Sequence, residues 1–120
     1  MRDHKRYLAY QKARSLAMDI FHRSRFFPSE ERFGLVAQIV NSSRSVCANL
    51  AEAARRHRYR SHFVAKLTDS DSENGETENW IDFSFDCGYI DQAQHKDWIS
   101  RNSEVGKLLT YMIENPEQFM

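Results

Sequence analysis

Glycine and proline are scarce in this chain, four and two among 120 residues. Both residues punctuate tight turns, so long regular elements joined by few turns are expected. Cysteine is scarcer still in effect. Cys47 and Cys87 lie far apart with no C-x-x-C pairing, which points to free thiols rather than a disulfide frame or a zinc site. No run of 18 apolar residues occurs, and the opening MRDHKRYLAY is charged where a signal peptide would be apolar. The expected setting is therefore soluble and cytoplasmic, with no membrane. A phosphate-cradling glycine loop, a Ser- or Cys-His constellation and the Glu-x-x-His spacing of di-iron bundles are all missing. Neither an enzyme, a cofactor nor a metal site is expected.

What is present begins with an unusual stretch, DSDSENGETENW from Asp69 to Trp80, which holds no aliphatic residue. As a calcium loop it fails. Asp69, Asp71 and Glu73 suit the first, third and fifth ligand positions, but Asn74 stands at the sixth, where glycine is required, and Trp80 replaces the closing glutamate. Disorder is equally unattractive for a chain that is 41% hydrophobic, with two Trp, five Tyr and eight Phe. A linker or the middle of a helix remains.

Around it, apolar residues recur at three- and four-residue spacing in four segments. The first covers about 3–25, with Leu8, Leu16 and Ile20 on its stripe. Pro28 interrupts, Ser29 can cap, and Glu30 and Glu31 suit the start of a second helix over about 29–56, whose face holds Leu35, Ile39, Ser42, Val46, Leu50 and Ala53. A third segment runs over about 59–87 and stops at Gly88. The fourth, over about 91–114, starts at the Asp91–Gln94 box. Short connections between long helices predict a single all-α domain, an antiparallel up-down-up-down four-helix bundle. A third helix that matches the second in length must run through the acidic stretch, against the weak helix propensity of Asp, Ser, Asn and Gly.

Folding the second and third helices back on each other at His57–Arg58 brings Arg44 level with Asp71 and within a turn of Asp69 and Glu73. Gln38 then faces Thr77. The expectation is a partly buried polar layer of Arg44 with Glu73 or Asp69, supported by Asn49, Glu52 and Glu76. An ion pair of that kind would make Arg44→Met cost on the order of 3–5 kcal/mol.

FPSEERFGLVAQI and SVCANLAEAARR carry a resemblance. Phe27, Pro28, Glu31, Phe33, Gly34, Leu35, Gln38 and Ile39, then Ser45, Val46, Ala48, Asn49, Leu50, Ala51 and Glu52, follow the pattern of a four-helix-bundle family. This family is encoded by intervening sequences in 23S ribosomal RNA genes and includes accessory variability proteins of diversity-generating retroelements. The similarity covers about residues 7–113, with Glu76-Thr77 matching its acidic third helix. It implies an antiparallel bundle that assembles as a ring, typically a homopentamer, and a helical DSDSENGETENW. It also implies binding to RNA or DNA and a reverse transcriptase or other RNA-handling protein as partner. Val40, Asn41 and Ala53 depart from the family, where a basic pair and a glycine are common.

Zero net charge conceals a division. Residues 1–66 hold 14 Lys+Arg against 5 Asp+Glu, and residues 67–120 hold 3 against 12. In an up-down bundle the first helix start and the second-to-third turn share one end. That end gathers Arg2, Lys5, Arg6, Arg55, Arg56, Arg58 and Arg60, with Tyr7 and Tyr59 as candidate stacking surfaces. Nucleic-acid binding through this basic end is the leading expectation. A structural or protein-interaction oligomer, in which the basic half of one copy meets the acidic half of the next, is the alternative.

Overall fold

Local chemistry sets each helix start in the computed structural model, which describes residues 3–120. The Asp3 carboxylate accepts from the Lys5 amide at 3.0 Å and holds a 3₁₀ turn, His4–Arg6, ahead of α1 (Leu8–Ser24). A second 3₁₀ turn, Ser29–Glu31, precedes α2 (Leu35–Arg55). Then follow α3 (Arg60–Asp86), α4 (Gln92–Glu114) and a closing 3₁₀ turn, Pro116–Gln118. α1 packs against α2 and α4, and α3 against the same two, so α1 and α3 lie on one diagonal. This is the expected all-α four-helix bundle.

Two helix starts were placed too early by the sequence. α1 begins at Leu8 because the Asp3 turn precedes it. α2 begins at Leu35 because Gly34, at φ −105° and ψ −112°, is not helical. The Glu31 carboxylate reaches past it to accept from the Leu35 amide at 3.1 Å, satisfying one of the orphan donors of the first turn. A Cβ on Gly34 would sit 2.8 Å from that carboxylate oxygen. The same carboxylate accepts from the Tyr89 hydroxyl at 2.9 Å, and the Tyr89 ring lies 5.2 Å from that of Phe27. This latch ties the α1–α2 loop to the α3–α4 loop. Gly88, at φ +80°, and the Asp91 carboxylate accepting from the Gln94 amide at 2.8 Å end α3 and start α4 as expected.

Asp69–Trp80 is helical throughout. Its buried positions, Ser70, Asn74 and Thr77, continue the alternating three- and four-residue spacing of Phe63, Leu67, Ile81 and Ser84. The helix therefore keeps one inward stripe, with small polar residues at its centre. These residues separate two apolar clusters. One holds Leu50, Phe63, Leu67, Val105 and Leu109, and the other holds Ile20, Ile39, Ile81 and Trp98.

The polar belt satisfies itself between helices. Ser70 Oγ donates to the Val46 carbonyl of α2 at 2.8 Å, and Thr77 Oγ1 lies 2.9 Å from both Ser42 Oγ and the Glu73 carbonyl. Toward α4, Asn74 Nδ2 donates to the Asn102 carbonyl at 3.1 Å and to its Oδ1 at 2.9 Å. Asn102 Nδ2 returns a bond to the Asn74 carbonyl at 2.9 Å. Gly106 makes this approach possible, since a Cβ there would stand 2.9 Å from Asn74 Oδ1. Among the described residues no buried side-chain nitrogen or oxygen lacks a partner.

The expected charged layer does not form. Arg44 is exposed and lies over the Phe21 ring of α1, 5.0 Å from its centroid, on the flank away from α3. Asp69 and Glu52 are exposed and meet Lys66, at 3.4 and 2.6 Å. Glu76 is exposed and takes a bond from Trp80 Nε1, while Asn49 donates to its own helix at the Ser45 carbonyl. Glu73 is half-buried, and burial first, then Glu76 and Asp69, raise its carboxyl above the usual range. Desolvating an Arg–carboxylate pair costs several kcal/mol per ion, whereas Ser, Thr and Asn pair at smaller cost. The register itself was right to within a turn, as Ser42–Thr77, Val46–Ser70 and Glu52–Lys66 show. The inward stripe of α2 was right as well, since Leu35, Ile39, Ser42, Val46, Leu50 and Ala53 are all buried. Arg44 stands off that stripe, over Phe21 of α1. A half-buried ion pair stands instead on the α1–α4 seam, where Asp19 accepts from Trp98 Nε1 at 2.8 Å and from Arg101 at 2.9 Å.

Urea unfolding separates the two layers. Asn102→Leu removes the side-chain acceptor and donor opposite Asn74, leaving its amide only the residue 102 backbone carbonyl, and is expected to cost on the order of 2 kcal/mol, much of it recovered when Asn74 also becomes Leu. Arg44→Met is expected to stay within about 1 kcal/mol of wild type, the worth of an exposed cation–π contact.

Candidate nucleic-acid interface

Three chain segments meet at one end of the bundle. The His4–Arg6 turn packs against α2, and the closing turn packs against α3 and α4. Tyr7 sits in the apolar cluster of Leu50 and Phe63, and its hydroxyl donates to the Phe119 carbonyl at 3.2 Å. It is 6% exposed, so it anchors the chain terminus and offers no stacking surface.

The α2–α3 turn supplies most of the charge. Arg55 ends α2, Arg56 caps it, Arg58 stands in the turn and Arg60 opens α3. His57 Nδ1 lies 3.0 Å from the Ala54 carbonyl, which closes the last turn of α2 from the side chain. Positive residues there complement the negative helix terminus. Lys5, Arg6, Arg55, Arg56, Arg58 and Arg60 are all exposed, and Arg2 lies outside the described residues. The sequence-predicted cluster thus assembles on one end.

One member has a competitor that the sequence reading missed. Arg60 Nε donates to Glu117 Oε1 at 2.7 Å, with the two side chains 64% and 67% exposed. The Arg60 hydrogen bond, with Glu117's own backbone amide behind it, holds the Glu117 carboxyl below its ordinary 4.5. Its only sequence signal was position, a carboxylate just beyond the helix that returns to this end. Two open grooves flank the cluster. Arg58, Tyr59, Arg60, Ser61, Val64 and Ala65 line the first, and Lys5, Tyr10, Gln11 and Arg14 the second. Each sets an aromatic side chain among cations, an arrangement able to meet phosphate and base together.

Elsewhere the chemistry is quiet. Burial pushes the Cys47 thiol up to about 11, far from a reactive thiolate. No group of three or more His, Cys, Asp or Glu is arranged to hold a metal ion among the described residues, and none of their helices is long and apolar enough to cross a membrane.

An all-α four-helix bundle with a basic end and a latch built from Phe27, Glu31, Gly34 and Tyr89 defines the class. Residues 5–111 match the family model described as 23S rRNA-intervening sequence protein, and the chain belongs to that family. Its structure is similar to the crystal structure of a protein with unknown function from the S23 ribosomal protein family of Bacteroides thetaiotaomicron. The two share 28% sequence identity and a TM-score of 0.80, over 89% of this chain and 96% of the other. Comparison with the curated proteins finds no match.

The Arg60–Glu117 link carries a pH signature. Folding lowers the Glu117 carboxyl below 4.5, so the link adds stability above that value and loses it as pH falls through the lowered one. Glu117→Gln is expected to have a slightly lower urea midpoint than wild type at neutral pH. The two midpoints should converge as pH falls through the lowered value.

Proposed function

We propose that this chain is a non-catalytic, cytoplasmic nucleic-acid-binding protein that works as an oligomer and grips phosphate backbones through its basic end. The observation that carries this reading is the exposure of Lys5, Arg6, Arg56 and Arg58 at one end, built from chain turns and separate from the core. Charges placed there contribute little to stability and remain free to exchange counterions for phosphates. The resemblance to retroelement accessory proteins supports a reverse transcriptase or other RNA-handling protein as the partner.

Reversing Lys5, Arg6, Arg56 and Arg58 to Glu is expected to abolish binding of RNA and DNA fragments in a low-salt mobility shift, with helical circular dichroism unchanged. Unrelated sequences should lose affinity alike, because phosphate contacts carry no base information. Raising salt from about 50 to about 200 mM should weaken the wild type roughly 100-fold if about four phosphates are contacted. A reversed variant that binds as well as wild type returns the basic end to a solvated helix cap.

A second reading, a protein-interaction oligomer, draws on charge placement. α3 carries seven carboxylates against Arg60 and Lys66, and the diagonally opposite α1 carries Lys12, Arg14 and Arg23 against Asp19. These faces are too far apart to pair within one molecule but complement each other between copies. Phe26 and Phe33, 87% and 86% exposed, and Phe83 at 50% add apolar surface. Heterologous contacts of this kind close into a ring when the rotation between copies closes. Light scattering is expected to give a homo-oligomer, five copies in the reading favoured by the resemblance. A monomer at micromolar concentration would exclude assembly.

A further inference from the structure

The basic end carries more than charge. Tyr59 stands between Arg58 and Arg60 with 63% of its surface in water. Its backbone is extended, at φ −121° and ψ 114°, and is held on both sides. Its amide donates to the Arg56 carbonyl at 3.3 Å, and its carbonyl accepts from Phe63 at 2.9 Å. The side chain makes no cap hydrogen bond for α3, and its aromatic neighbour is His62, with the ring centroids 5.2 Å apart and the planes tilted by 55°. Val64 and Ala65 give the groove an apolar floor. A large ring kept in water on a fixed backbone does nothing for the core, and its face is open to a flat partner.

We infer that this groove takes an unpaired nucleotide of a single-stranded nucleic acid, its base on Tyr59 and its flanking phosphates on Arg58 and Arg60. The inference rests on the nucleic-acid reading above and narrows it. The extended residue at Tyr59 sets the Arg58 and Arg60 backbones roughly 7 Å apart, and both arginines line the same groove as its ring. Inside a duplex each base face is already covered by its neighbours, so only an unpaired base can stack on a side chain. In the free protein the Glu117 carboxylate occupies Arg60 where a phosphate oxygen would bind. That pair is exposed on both sides, so a ligand oxyanion displaces it at little cost. The closing turn is therefore a built-in competitor for the site.

Fluorescence anisotropy at low salt tests this with labelled oligo(dT), oligo(U) and a mixed-sequence duplex of equal length. The wild type is expected to bind the single strands more tightly than the duplex. Tyr59→Ala should weaken single-strand binding about tenfold and leave duplex binding within about twofold, and Tyr59→Trp should restore it. Glu117→Gln should tighten single-strand binding by about threefold. Binding of either oligonucleotide supports the inference, and the tighter of the two identifies the preferred sugar. If Tyr59→Ala leaves the single-strand affinity unchanged, or weakens both forms equally, stacking is overturned. The phosphate reading then still stands, provided the four-charge reversal abolishes binding. If the wild type binds none of the three, both readings fall together.

Discussion

A buried polar group without a partner costs more than most single contacts return, and that constraint organises this bundle. Ser70, Asn74 and Thr77 enter the core from α3 and must find partners there. They find them at fixed heights on two different helices, the Val46 carbonyl and Ser42 on α2, and Asn102 on α4. Sliding α3 by one turn against either neighbour would strand several of these groups at once. Leucine in the same positions would tolerate such a slip, because apolar contacts are not directional. The belt therefore fixes register, and the two apolar clusters on either side supply the burial.

Above and below the belt the ends of the bundle have different duties. At one end, the Glu31 carboxylate joins the α2 start to Tyr89, and a side chain at Gly34 would push that carboxylate aside. Of the residues that carry the family resemblance, Phe27, Glu31 and Gly34 serve this latch and Leu35, Ile39, Val46 and Leu50 the α2 core face, so this part of the pattern speaks to fold. At the other end the cations stand on turns that the core does not need. A surface decoupled from packing in this way can change its charge without unfolding the domain. Surface charge and stability are thus separable by mutation here, which charges on the helix seams would not allow.

The fold was legible in the sequence to a considerable depth. Spacing gave four helices, Gly88 and Asp91 gave the α3–α4 boundary, and the length match carried α3 through DSDSENGETENW despite its poor propensity. The basic end was legible for a simple reason, since bundle topology alone brings turn residues together. The polar layer was misread at Arg44, Asp69 and Glu73, although its height along the bundle was right. Charge drew the prediction toward ion pairs, whereas Ser70, Asn74 and Thr77 sat on the same three- and four-residue stripe as Phe63 and Ile81.

By itself, then, the sequence determined the number of helices, their order and direction, and the residues gathered at the basic end, because these depend on local periodicity and chain connectivity. Tertiary structure alone decided which partner each side chain met. It set Arg44 over Phe21, closed Asn74 on Asn102 and buried Tyr7 while leaving Tyr59 in water. It also returned Glu117 to Arg60, across 57 residues of chain. A few tens of degrees exchange one helix flank for another, and only the summed packing and hydrogen bonding of all four helices selects among them.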